Sequence, residues 1–323
     1  MLKYLIIQLC DSAPSFCHYE NGKSRELIAL EDLRKGIIWS MKQNVSVQVV
    51  FPNYELPEEY KKVLRDISYT SIVDSKCEDK QLLAEANIIV IDNVEDIQTD
   101  VRNDASYVVR ISGTKLLQNT DYFVPYLQRA QRINIVLNDM PEADNAFLSA
   151  YNDWLKDLSD IIKYEYLHGH MVQCNLLTDR FMLDEMNNCN AGYETVTLAP
   201  DGRFYVCPAF YFSSGDFGIG EARFSIGDIH QGLDIKNAQL YQLDHAPICR
   251  ICDAYQCKRC VWLNRKMTYE VNTPSHEQCV MAHLERNVSR MLLKQLQEKG
   301  TFLPDKEIKE IEYLDPFDVR PKL

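Results

Sequence analysis

The residues best suited to chemistry are cysteines. The stretch "CRICDAYQCKRC" at 249–260 sets Cys249, Cys252, Cys257 and Cys260 as two CxxC pairs with four residues between them. Thiolates spaced this way grip a soft metal, because both sulfurs of a tight turn can reach one centre. The pattern continues on either side: Cys189, twelve residues, Gly202, four residues and Cys207 lie upstream, and Cys279 lies downstream. These seven candidate ligands, with Cys174 as an eighth, suffice for two four-cysteine sites. Zinc and iron–sulfur clusters both accept four cysteines, so spacing does not choose between them. Free cysteines also serve as small buried apolar residues. A packed core, however, would not place four of them in twelve positions among Arg250, Asp253, Lys258 and Arg259.

The surrounding chemistry narrows the context. Eleven cysteines are present, and only Cys10, Cys17 and Cys77 precede Cys174. No run approaches the ~20 apolar residues of a membrane span, and the N-terminal stretch "MLKYLIIQLCDSAPSF" lacks the marks of a cleaved leader. A cytoplasmic location is therefore expected, where thiols stay reduced and dense CxxC spacing reads as metal binding before disulfides. A net charge of −12 argues against a nucleic-acid partner, which needs clustered Lys and Arg.

The elements that must position these thiols fall into two textures. Up to about residue 170, apolar runs alternate with amphipathic stretches. Expected strands are 4–9, 45–51, 87–92, 106–112 and 132–138, and expected helices are 30–43, 56–67 and 146–164. This β-α alternation predicts an α/β fold with a mostly parallel sheet, open or barrel-like, with room for about six units. Beyond residue 171 a hairpin at 194–210, turning at Pro200-Asp201-Gly202, leads into a loop-rich stretch holding most of the cysteines. The motif "SHEQ" (275–278) is a capping box for a final helix that puts Cys279 in its first turn. That turn and the nearby Lys258 and Arg259 would favour an anionic metal centre.

The cysteine pattern, with "LAPDGRFYVCP" and "IGDIHQG" (226–232), resembles the SPASM domain appended to radical SAM enzymes that modify ribosomally made peptides. Relative to that domain, each of the last two spacings within the four-cysteine run is shorter by one residue. The resemblance covers about 189–280. It implies two auxiliary 4Fe–4S clusters with interleaved ligands: Cys189, Cys207 and Cys260 with Cys174 at the first, and Cys249, Cys252, Cys257 and Cys279 at the second.

Radical SAM enzymes also carry C-x3-C-x2-C after the first strand, three thiolates leaving one iron open to S-adenosylmethionine. Here "CDSAPSFC" supplies Cys10 and Cys17, but Pro14 occupies the middle frame, so the motif is incomplete. Glu55 alone stands near the place of the usual glycine-glycine-glutamate. Together with "PNYELPEEY" these features resemble the CXXX repeat peptide maturases, radical SAM/SPASM-like proteins that accompany a precursor peptide with cysteine repeats. The resemblance implies a partial (β/α)6 barrel-like domain over 1–170, a SPASM-type domain over 171–290, and a helix end and tail over 291–323. Its partners would be the precursor peptide and a small accessory or modifying protein. Two other readings of the same residues are a catalytically inactive peptide-presenting partner and a zinc-stabilised scaffold.

Three further motifs take bland readings. "HGH" (168–170) is expected to be an exposed turn, and Cys77 a surface thiol. "GDFGIGEA" (215–222) follows no strand-to-helix fingerprint and predicts no phosphate site.

Overall fold

The computed structural model describes residues 2–92, 101–118, 120–139, 144–213, 224–300, 302–311, 313 and 315–316; the motif at 215–222 and the last seven residues of the tail lie outside them. The elements run β1 (Tyr4–Gln8), α1 (Leu30–Gln43), β2 (Ser46–Val50), α2 (Glu58–Arg65), β3 (Tyr69–Asp74), α3 (Lys80–Glu85), β4 (Ile88–Ile91) and β5 (Ser106–Ile111). Next come α4 (Gly113–Leu116), α5 (Val124–Arg129), β6 (Arg132–Leu137), α6 (Asn145–Leu167), β7 (Gln173–Cys174), α7 (Thr178–Met182), β8 (Thr195–Leu198) and β9 (Arg203–Tyr205). The last are α8 (Pro208–Phe212), β10 (Ser225–Asp228), β11 (Gly232–Leu233), α9 (Val261–Thr268) and α10 (His276–Lys299). The chain divides into two units: Met1–Asp92 with Asn190–His245, and Asn93–Cys189 with Ala246–Leu323. It is a mixed α/β protein in which parallel strand pairs predominate. Among the described residues, no helix is long and apolar enough to cross a membrane.

In the first unit β4, β3, β2, β1 and β8 pair side by side in parallel. Leu5, Ile6 and Ile7 of β1 are all buried, which is why this strand reads as a continuous apolar run rather than an alternation. Helix α1 turns Leu33, Gly36, Ile37 and Ser40 inward. At Gly36 a Cβ would stand 2.5 Å from Leu198 Cδ2, so the absent side chain sets how closely the helix approaches the sheet. The β8–β9 hairpin turns where expected. Gly202 there adopts a left-handed φ of +75°, which suits the residue following a Pro-Asp turn. Strand β3 was not anticipated, because "YTSIVD" carries polar groups inside a buried strand. Asn87 explains how they are tolerated: its Oδ1 accepts from the Ser71 backbone N–H at 2.9 Å and lies 3.1 Å from Ser71 Oγ.

In the second unit β5, β6 and β7 pair in parallel. Helices α6 and α10 pack together: Tyr151, Trp154, Leu155, Leu158 and Ile162 line the inner stripe of α6, while Leu284, Val288 and Leu292 do so on α10. The capping box at the start of α10 is fully formed, with Ser275 accepting from the Gln278 N–H and Gln278 accepting from the Ser275 N–H. The first turn of α10, which carries Cys279, is thereby fixed at the end that matters for the cysteine loop.

Candidate metal centre

Within the second unit, Cys249, Cys252, Cys257 and Cys279 line one cavity of about 30 Å³. Three come from the loop and the fourth from the first turn of α10. Ala254, Ala282, Ile248 and Pro274 make the rest of the wall largely apolar, with Arg259 and His283 as its charged or ionisable members.

The loop shapes each sulfur's surroundings through its own backbone. A 3-10 turn runs from Cys249, and the Cys252 N–H closes on the Cys249 carbonyl at 3.1 Å. The Ala254 N–H then points at Cys252 Sγ at 3.4 Å, and the Arg259 backbone N–H bonds Cys257. Further along, Cys260 caps α9, its sulfur accepting from the Leu263 N–H at 3.5 Å. Amides converging on sulfur suit a thiolate far better than a thiol, which is a weak acceptor.

Burial opposes ionisation. It pushes Cys249 up to about 11 and Cys257 up to about 12, and it raises Cys252 and Cys279 as well; the neighbouring sulfurs add to this at Cys249, Cys257 and Cys279. Four thiols that repel one another once ionised, held in an apolar wall, gain most from a shared cation. Positive groups are arranged about the site. Arg259 is 1% exposed, sits at a left-handed φ of 43°, and donates from Nε to Asn188 at 2.6 Å. Burial lowers its guanidinium, and the sulfurs of Cys249, Cys189, Cys257 and Cys260 pull the other way. A side chain held in a sparsely populated backbone region beside sulfurs is the kind of strain found at functional sites. Beyond Cys252, the fully buried Arg286 grips Asp253 through two bonds of 2.6 and 2.8 Å, while Arg180 lies 4.4 Å over the Tyr255 ring. Burial pushes the Asp253 carboxyl up, but the hydrogen bond and charge of Arg286 outweigh it and hold the group below the usual carboxylate range. Lys258, named with Arg259 from the sequence, is exposed.

The donor set fits a four-sulfur centre: four thiols around one cavity, amides aimed at sulfur, and cations to balance the charge. Among the described residues, no three of these four sulfurs lie within 4.8 Å of one another.

The other expected ligands are distributed differently. Cys189 is exposed in the second unit, its N–H bonded to the Lys258 carbonyl at 2.8 Å, and it shares the Arg259 guanidinium with Cys260. Cys207 belongs to the first unit, as the cap residue of α8. Cys174 is fully buried on β7, where its N–H bonds Thr178 Oγ1 at 2.6 Å. Burial pushes its thiol up to about 12.

Sequence reasoning missed His283. It lies four residues after Cys279, on the same face of α10, and its Nε2 is 3.4 Å from Cys252 Sγ. The i, i+4 spacing was the available signal.

The N-terminal motif has a different character. Cys10 is fully buried, 3.3 Å from Ser12 Oγ and hydrogen-bonded with Tyr54, whose hydroxyl burial and Cys10 push up to about 12. Pro14 is buried in the same loop. With two thiols flanking a proline, the loop does not fit a site-differentiated cluster held by three thiolates. Glu55 pairs with Lys61 at 2.5 Å. Asp11 accepts from the Tyr211 hydroxyl at 2.7 Å. Cys77 is a correction to the sequence reading: it is fully buried, because the turn after β3 folds it under the Pro52 carbonyl, 3.8 Å away. His168 ends α6, its Nδ1 2.7 Å from the Tyr164 carbonyl oxygen, and Gly169 follows with φ of +90°.

No protein-family model matches the chain, and no curated protein does. Solved structures do. Native anSMEcpe with bound AdoMet superposes with a TM-score of 0.58 at 12% identity, covering 92% of this chain and 100% of that one. The hexahistidine-tagged form with bound AdoMet gives 0.60 at 12% identity over 94% of this chain and 98% of that one. The native protein with bound AdoMet and Cp18Cys peptide gives 0.58 at 11% identity, over 92% and 100%. At this identity the likeness is one of fold.

Proposed function

We propose that the protein takes part in maturing a ribosomally made cysteine-repeat peptide, as a radical SAM/SPASM-like iron–sulfur protein. The carrying observation is the cavity of the second unit, which Cys249, Cys252, Cys257 and Cys279 line together. These residues hold one auxiliary 4Fe–4S cluster, and Cys189, Cys207 and Cys260, with Cys174, serve a second. The domain reading follows: a partial (β/α)6 barrel-like part over 1–170, a SPASM-type part over 171–290, and a helix end and tail over 291–323. Four cysteines alone accept zinc as readily as a cluster, so metal analysis decides between them. When bound, a cluster supplies one-electron storage. The chain's contribution is to orient the sulfurs, exclude water with Ile248, Ala254 and Ala282, and balance charge with Arg259. The fold shared with anSMEcpe, solved with bound AdoMet and Cp18Cys peptide, supports a peptide substrate here. A precursor peptide, presented with a small accessory or modifying protein, is therefore the partner to test.

Pro14 and the buried Cys10 favour a second reading, in which S-adenosylmethionine activation is lost and the protein presents the peptide to a partner enzyme. One experiment separates these readings. Anaerobically purified full-length protein is assayed for iron, acid-labile sulfide and zinc, then for reductive cleavage of S-adenosylmethionine with and without a cysteine-repeat peptide. Iron and sulfide in equal amounts support the cluster reading, and zinc alone overturns it. Cleavage supports catalysis; its absence in iron-loaded protein supports presentation.

A further inference from the structure

The cavity holds one group that the four cysteines do not account for. His283 is 2% exposed, lines the cavity, and places Nε2 3.4 Å from Cys252 Sγ. Its neighbours fix the ring. Helix α10 aims it from the same face as Cys279, and Tyr313 meets it edge to face, with centroids 5.6 Å apart at 90°. A metal-bound sulfur can only accept, so the nitrogen facing it must carry the hydrogen.

We propose that His283 is a positioning residue that donates Nε2–H to the Cys252 thiolate and thereby raises the reduction potential of the cluster held at this cavity. The proposal rests on the cluster reading above and deepens it. Reduction adds one electron, and the added negative charge spreads over the sulfurs. A donor already aimed at one of them stabilises the reduced state more than the oxidised state. The electron comes from an added one-electron reductant such as dithionite. The imidazole hydrogen stays on Nε2 in both states, so no proton changes place. Arg286 and Arg180 pair with the neighbouring Asp253 carboxylate, so the donors aimed at Cys252 Sγ are the Ala254 backbone N–H and His283.

The test is a potentiometric titration of full-length anaerobic protein, followed by electron paramagnetic resonance, on the signal that disappears in Cys252→Ser. Iron and sulfide are counted first; a wild-type protein without them overturns the cluster reading itself. With clusters present, His283→Phe removes the donor and His283→Gln keeps an N–H. His283→Phe should disfavour reduction by about threefold to tenfold, tenfold being about 59 mV for one electron. His283→Gln should recover part of the shift, and both should keep wild-type iron. Equal midpoints in all three proteins would overturn the proposal. So would loss of iron from both variants, which would make His283 a ligand or a prop instead of a donor.

Discussion

Glu285 shows how much one side chain contributes around this site. Its carboxyl accepts from the Tyr151 hydroxyl at 2.8 Å and from Gln256 at 3.4 Å. Burial nevertheless pushes it from 4.5 up to about 7, although the stem is partly open to solvent. A carboxyl whose folded value is raised binds more protons folded than unfolded between those values. Its contribution is complete below pH 4.5 and is lost as pH rises through 7, amounting to about 3 kcal/mol at most. Glu285→Gln keeps both neighbours and removes the titration, so denaturant melts of the metal-free variant should lose this decline between pH 4.5 and 7. Cys252→Ser should release about four irons per chain and lower the melting temperature of the cluster-loaded protein, because metal sites of this kind supply folding energy. Iron analysis and calorimetry read both. At this scale the sequence was informative where chemistry repeats and silent where it converges. Two CxxC pairs announce a chelate, and Cys279 followed from the motif. Arg259 was named beside the pairs but not its left-handed turn, and His283 offered only its i, i+4 spacing from Cys279.

At the scale of elements, one contact in each unit can be tested. Gly36 lets α1 lie against Leu198, and an added methyl would have to displace a fully buried leucine. Overpacking of this kind costs about 1–3 kcal/mol, and alanine's helix preference over glycine returns about 1 kcal/mol at most. Gly36→Ala should therefore destabilise by about 1 kcal/mol in chemical denaturation, against the rule for exposed helices. Ser275→Ala removes one half of the capping box and should cost about 1 kcal/mol. Because Cys279 sits in that same turn, iron should also leave more readily during challenge with a chelator. Helices α1, α2, α6 and α10 were legible from their apolar stripes and caps, as was the Pro-Asp-Gly hairpin. Strand β3 was not, since Ser71 is tolerated only through Asn87, and α9 was not, since its cap is a cysteine that also reads as a ligand.

The whole molecule keeps a parallel α/β fold while its first loop departs from the thiolate triad expected after β1. If that loop holds no cluster, Cys10→Ser should leave total iron unchanged; loss of about four irons would return catalysis to the first unit. The parallel sheet was foreseeable from its Val- and Ile-rich runs. The division of the chain was not, because its first unit takes in residues 190–245 from far along the sequence, a long-range pairing of β1 with β8 that local pattern cannot reveal. The centre in the second unit also draws its donors unevenly, three from a short loop and one from a helix. Only four residues separate Cys252 from Cys257, but twenty-one separate Cys257 from Cys279. Closing the longer span costs about 1.5 kcal/mol more in chain entropy. In the unfolded chain the three loop sulfurs should therefore gather on one ion before the fourth joins them. The helix supplies the latch, and the order of assembly is written into the chain's own connectivity.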